Sequence, residues 1–370
     1  MKITAPRSRA AGFTLVEMLV ATVVALFATL VITQTFALSE TFRRSGTSGG
    51  DANFSGAVGT YLMDRDLAAA GYGINTATYY GCTVSLSDQS PPTGTAPRLA
   101  TFTLAPVHID FGATAQAPDA VWIVASGSSS APGLISFASP MVSATDNYTV
   151  ASAFGVNSGD LLVLAQAGVN NCTLVQATNT PTSASSNQNV IQHASGAAAD
   201  RYNPAGGLGI AYPATAVIMD LGKSTSAIVN RYYIQNNTLM VDQQINGQLA
   251  QPVAANIVQL KAEYGEDNVG DGAVHVWTTN VPATSADWAS ILAVRVAMVA
   301  QSANPEKPTN LATNTCTTTT QPLSVTWEDS TTWTLDVSGA SAPGGINWTC
   351  FRYKVFHVTT SLRNSIWTPL

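Results

Sequence analysis

An apolar run that opens at Gly12-Phe13-Thr14-Leu15-Val16-Glu17-Met18-Leu19-Val20-Ala21 and continues to about Leu38 constrains this 370-residue chain more than any other feature. At ~1.5 Å per residue, a helix of about 24 such residues is long enough to cross a bilayer. The segment before it is short and basic (Lys2, Arg7, Arg9), and everything after it is long, polar and rich in strand-like segments. Basic flanks stay cytoplasmic, so the C-terminal bulk is expected to face outward. A secretory signal fits less well, because the run is long and no small-residue cleavage site comes after it. A plain membrane anchor leaves Glu17 unexplained. A carboxylate one turn into an apolar helix is costly, by roughly 3 kcal/mol or more, unless something neutralises it.

Composition limits the character of the chain beyond the run. Only 10% of residues are charged, while Ser, Thr, Asn, Gly and Ala are plentiful, which suits an exported, β-rich, loop-rich protein better than a cytosolic enzyme. The formal charge is −6. No basic stripe is present, so the globular part is not expected to bind nucleic acid. The four cysteines, Cys82, Cys172, Cys316 and Cys350, are even in number and face an oxidising compartment, which favours disulfides. Three pairings are possible. Cys82–Cys172 with Cys316–Cys350 is favoured, since each bond joins chain neighbours on one side of the long middle. Zinc is disfavoured by the lack of CxxC or HxxxH spacing.

Helical patterning continues past the run, loosens at Gly46-Thr47-Ser48-Gly49-Gly50, and resumes from Asp51 with Phe54, Val58, Tyr61, Leu62 and Met63 near one stripe. It stops at Gly71-Tyr72-Gly73. From about Leu99 the pattern changes to short alternating runs: Arg98–Leu104, Ala120–Ala125, Leu134–Ala138, Asp160–Gln166 and Cys172–Ala177. Residues 181–189 read as a polar loop. The glycine cluster near Gly206 lacks the lysine and strand-to-helix frame of a phosphate loop. A hairpin is expected at Asn230–Ile234 and Leu239–Asp242. Ile257–Tyr264 alternates, with Val258, Leu260, Ala262 and Tyr264 on one side. Another strand is expected at Ile291–Val299, and a last one at Phe351–Leu362. The fold class is therefore α+β: a long N-terminal helix, partly transmembrane, attached to a β-rich head. The organisation expected is a leader over 1–12, a helix over 13–73 with its membrane part at 13–38, and a head over 74–370.

Catalytic signatures are missing. His108, His193, His275 and His357 stand far apart, and no GxSxG or HExxH motif occurs. No enzyme activity and no cofactor are expected. The turn Asp267-Asn268-Val269-Gly270-Asp271-Gly272 is an incomplete calcium candidate. Asp267 and Asp271 fit positions one and five of a calcium loop, but Val269 at position three offers no side-chain oxygen, and position twelve is Thr278 where a glutamate belongs. A structural turn explains the same residues, so no metal is expected.

The arrangement Gly12-Phe13-Thr14-Leu15-Val16-Glu17 resembles the processing site of the type IV pilins. The resemblance implies that a prepilin peptidase cuts between Gly12 and Phe13, that Phe13 is then N-methylated, and that Glu17, fifth in the mature chain, pairs with an N-terminal amine during assembly. Removing the leader would leave 13 basic against 22 acidic side chains, or −9. The segment Tyr61-Leu62-Met63-Asp64-Arg65-Asp66-Leu67-Ala68-Ala69-Ala70-Gly71-Tyr72, with Cys82 shortly after it, is similar to the PilW family of minor pilins. So are Tyr264-Gly265-Glu266, Asp271-Gly272, Asp287-Trp288, Val294-Arg295-Val296 and the ending Leu362-Arg363-Asn364. The resemblance covers both ends, while about 90–255 matches weakly. It implies a minor pilin that helps to initiate type IV pili in a tip complex. Its partners would be other minor and major pilins, the prepilin peptidase, the inner membrane and a tip adhesin. The head would be periplasmic before assembly and extracellular in the pilus. The alternatives are a J-type pseudopilin of type II secretion, whose heads are usually smaller, and a membrane-anchored binding module that borrows a pilin-type leader.

Overall fold

A computed structural model of the chain describes residues 12–366 apart from 75, 92–97, 129–132, 182–187, 197–199, 208, 311 and 341–345. Most of the leader (1–11) and most of the polar loop expected at 181–189 lie outside the described residues. Two compact units meet at Asp51/Ala52. The N-terminal unit is helical from Leu15 onward, and the first helix, Leu15–Ala69, is assigned straight through Gly46, Gly49 and Gly50. The loosening expected there is not a break in helical bonding.

The second unit, Ala52–Leu370, is α+β, with the C-terminal turns of that helix at its centre. Its buried face is Ala52, Gly56, Gly59, Met63, Leu67 and Ala70, at spacings of three and four residues. The stripe expected through Phe54 and Tyr61 is corrected here: these two are 73% and 67% exposed. The reason is space. A Cβ at Gly56 would collide with the Phe356 ring, and one at Gly59 would sit 3.1 Å from Leu239. Only small residues let the sheets come this close. The helix stops at Ala69, and Gly71 and Gly73 take φ of 80° and 73°, which a side chain resists.

Two sheets enclose this helix face. One has the order Val276–Thr278, Ile257–Glu266, Ile291–Gln301, Tyr353–Ser361; the other runs Gln251–Ala255, Thr238–Gln243, Ile228–Gln235, Ala120–Ala125, Val107–Asp110. Together with the helix they form one core. A buried carboxylate fixes the register: Asp66 accepts from Asn230 Nδ2 (2.9 Å) and Tyr232 Oη (2.7 Å), and is paired with Arg65. The expected hairpin is present, turning at Asn236 and Asn237 with φ of 50° and 56°, the left-handed pair that a two-residue turn needs.

A six-stranded sheet lies behind, in the order Arg98–Thr103, Thr83–Asp88, Asn171–Gln176, Asp160–Ala165, Val217–Lys223, Leu134–Ser136. One face packs on Val124 and Val229 of the five-stranded sheet; the other carries a separate core through Tyr148, Ile191 and Tyr212. Cys82 is bonded to Cys172, beside the parallel pairing of Thr83–Asp88 with Asn171–Gln176. Cys316 is bonded to Cys350 across the segment that holds the hairpin Leu323–Thr326/Thr332–Leu335. That hairpin covers the far face of the four-stranded sheet.

One expected face assignment is reversed. Leu260, Ala262 and Tyr264 face the helix, but Val258 packs on the hairpin side. The pairing with Ile291–Gln301 shifts register between Ile257 and Gln259, and a one-residue bulge turns the preceding side chain to the opposite face.

Asp220 is fully buried within Val217–Lys223. It accepts from Ser128 Oγ and from the Gly222 amide. Burial pushes its carboxyl up to about 6, above the ~3.9 of an unfolded aspartate. Between those values the folded state holds the proton and the unfolded state does not, so stability contributed here falls as pH rises through about 6. Asp220→Asn is expected to gain on the order of 2 kcal/mol over the wild type at pH 8 and much less near pH 4.5. Denaturant unfolding of the full chain in detergent at both pH values measures that difference.

Candidate functional site

The candidate site begins where the described chain begins. Gly12 is exposed, and a Cβ built on it meets nothing within 4 Å. Phe13 is 85% exposed. Leu15–Glu40 has a mean hydropathy of 2.5, and none of its most apolar stretch is buried in the protein. Among the described residues none covers these side chains. Along one helix face run Phe13, Val16, Glu17, Val20, Ala21, Val24, Ala25 and Ala28, which border a shallow trough. The alanines at 21, 25 and 28 keep that face low, which is how apolar helices approach one another closely.

Glu17 has a local partner. Its Oε2 accepts from both the backbone N–H and the hydroxyl of Thr14, each at 3.0 Å, while the Glu17 N–H donates to Thr14 Oγ1 at 3.3 Å. Thr14 and Glu17 thus form a reciprocal cap on the first turn of the helix. A carboxylate there also lies at the favourable end of the helix dipole. Sequence reasoning missed this role, although Thr14-x-x-Glu17 carries its signal.

The turn at 266–272 is built around one carboxylate. Asp267 Oδ1 accepts from the amides of Val269, Gly270 and Asp271, and Oδ2 accepts from Gly272. These bonds, that from Gly272 foremost, hold its carboxyl below the usual range. Asp271 Oδ1 lies 2.8 Å from His275 Nε2, and this contact lowers Asp271 likewise. Asp267, Asp271 and His275 offer ligand atoms within 4.8 Å of one another. His275 lies outside the calcium candidate read from sequence. An imidazole in the set departs from the all-oxygen shell calcium prefers, and Asp267 is already engaged by four amides.

Asp287 and Trp288 have structural roles. Thr284 and Asp287 cap the short helix Ser285–Ala289 reciprocally. Trp288 is buried edge-on to Tyr264, where Gly81 at φ 85° leaves room for its ring. Arg295 is 3% exposed; it gives two bonds to Glu263 and one to Asp329. Trp277, Trp327 and Trp333 lie 4.5–4.9 Å from its guanidinium, so the Val294-Arg295-Val296 motif is a buried pin between sheet and hairpin.

Titrating calcium into the full chain in detergent by calorimetry is expected to show no micromolar binding, and Asp271→Ala is expected to leave the thermogram unchanged. Tight binding abolished by that substitution would assign the turn to a metal.

Two comparisons bear on these features. Residues 7–33 match the prokaryotic N-terminal methylation motif, and residues 222–364 match the family described as type IV pilus-assembly protein W. No curated protein and no solved structure matches the chain. The second match takes in the bulged strand, the capped Asp287-Trp288 turn, the Arg295 pin and the Leu362-Arg363-Asn364 end; the first takes in Gly12, Phe13 and Glu17. With the methylation motif at one end and this assembly-protein match toward the other, the chain is similar to the PilW-type pilins of the type IV pilus.

Proposed function

We propose that this chain is a PilW-type minor pilin that joins other minor pilins in the membrane to initiate the filament, and that it ends up at or near the tip. The observation that carries the reading is the apolar helix behind a methylation motif: 26 residues, Leu15–Glu40, whose most apolar stretch is not buried by any of the described residues. A helix of this kind is stable in a bilayer and can leave it only for an equally apolar place, such as a bundle of like helices. Phe54 and Tyr61, exposed on the same helix, extend the surface on offer to neighbouring subunits. The family is one of structural assembly proteins, which supports a non-catalytic role for this chain. The basic leader supports an outward-facing head, which on this reading is periplasmic before assembly and on the pilus after it. The prepilin peptidase, other minor and major pilins and a tip adhesin are the partners this reading names.

Processing makes the first test. The cut is placed between Gly12 and Phe13, and the peptidase must accept the residue before it. Gly12→Leu is expected to retain the leader, read as the higher intact mass of the membrane-extracted protein. Normal cleavage of that variant would rule out this processing site.

Assembly makes the second. Glu17→Ala removes a charge from the apolar span, so membrane insertion should be unchanged or improved. It also removes the carboxylate proposed to pair with an N-terminal amine. In a deletion strain, the wild-type gene is expected to restore piliation and the variant to restore little. Full piliation by Glu17→Ala would refute the pairing, and loss of protein secretion in place of piliation in the deletion strain would favour the pseudopilin alternative.

A further inference from the structure

Both outer edges of the hairpin Leu323–Thr326/Thr332–Leu335 pair with no strand among the described residues, and that of Thr332–Leu335 borders a cavity. The hairpin's bonding phase is set by its turn. The Trp327 amide donates to the Thr331 carbonyl, and the Ser330 amide to the Trp327 carbonyl, with Ser330 at φ 66°. Counting back, 325↔333 and 323↔335 are hydrogen-bonded pairs, whereas 326↔332 and 324↔334 are not. Thr332 and Thr334 therefore point their N–H and C=O groups away from the partner strand. Both residues are exposed.

Those groups border a cavity of about 530 Å³ lined by Thr332–Leu335, by the 111–115 loop and by Lys261, Ala262 and Glu263. The opposite wall is satisfied already. Asp119 takes the place of a neighbouring strand there: its amide donates to the Leu260 carbonyl, and its carboxylate accepts from the Ala262 amide and from Lys261. The gap is held open at both ends. Gln259, fully buried, donates to the Asp336 carbonyl (2.7 Å) and lies 3.2 Å from those of Ala115 and Gln116. At the tip, Asp329 is bonded to the buried Arg295.

We propose that this edge is a docking site for an extended segment of a partner polypeptide, which adds to Thr332–Leu335 as a third strand. The alternation of donors and acceptors at Thr332 and Thr334 matches an extended backbone, the recognition mode of strand addition. An exposed edge is otherwise an aggregation hazard that proteins blunt with charge, proline or a cover, and the strand Thr332–Leu335 carries neither charge nor proline. The lining and the tip together hold three carboxylates, Asp119, Glu263 and Asp329, against the two cations bonded to them, Lys261 and Arg295, which leaves one negative charge unmatched. The segment is therefore one of strand-forming residues with a single lysine or arginine among them. A saccharide fits less well, because Trp333 has Arg295 over its ring and Trp327 packed against it, which leaves little open face for stacking.

The test uses the full chain in detergent and a panel of blocked octapeptides of alternating threonine and valine, with one lysine moved through each position. Saturable binding is expected, with amide exchange at Thr332 and Thr334 slowed at least tenfold. Methylating alternate peptide nitrogens should weaken binding at least tenfold, a readout that leaves the protein untouched. Thr334→Pro deletes an outward N–H and is expected to weaken binding at least tenfold, whereas Thr334→Ala should stay within twofold. Retained protection of the Trp327 amide shows that the hairpin persists in the proline variant. The proposal is overturned if no peptide binds, if Thr334→Pro or the methylated peptides bind like their parents, if an oligosaccharide panel protects the groove instead, or if self-association of the chain alone accounts for the protection.

Discussion

The head depends on how closely its sheets can approach the end of one helix. Ala52, Gly56 and Gly59 present almost no side chain, so the strands carrying Leu239, Ala254, Met298 and Phe356 can close onto the helix. Dense contact of this kind is worth more than the individual groups suggest, because dispersion falls steeply with any gap. The smooth face alone would let the helix slide or rotate. Asp66 prevents that with its bonds to Asn230 and Tyr232, and Asp64 accepts from Thr360 on the opposite sheet. Small residues set the distance and carboxylates set the phase.

The membrane half of the same helix faces a different demand, and Glu17 meets part of it locally. Its capping bonds with Thr14 give the carboxylate a polar partner within its own chain. The pairing with an amine proposed above would have to compete with this arrangement and would not begin from a bare charge. What the geometry itself gives Glu17 is one role, ordering the first helical turn.

Much of this was legible in the residues. The apolar run, the helix stop at Gly71-Tyr72-Gly73, the strand at Ala120–Ala125 and the Asn236-Asn237 hairpin each carried a strong local signal. The misses have physical causes. Phe54 and Tyr61 look like core by hydrophobicity, but the neighbouring strands approach too closely for rings on that face. Val258 changes sides because a bulge is a tertiary compromise with no local signature. Val217–Lys223 escapes recognition because Asp220 and Gly222 interrupt its apolar pattern; both are explained by a buried carboxylate that bonds the Gly222 amide at a register shift. The Thr14–Glu17 cap is readable in the residues, but the pairing that the pilin resemblance implies for Glu17 hides it by seeming explanation enough. The groove beside Thr332–Leu335 joins residues more than 200 positions apart, such as Phe111 and Trp333, and no spacing rule reaches that far.

The back of the six-stranded sheet offers a different lesson. Its core, drawn from residues between Ile135 and Ile218, lies wholly outside both matched segments. It shares a sheet with the rest of the head yet closes its own apolar surface, and none of the helix-contacting side chains belongs to it. Such a shell is modular. A substitution among its side chains would loosen one face of the six-stranded sheet and leave the surface that grips the helix as it is.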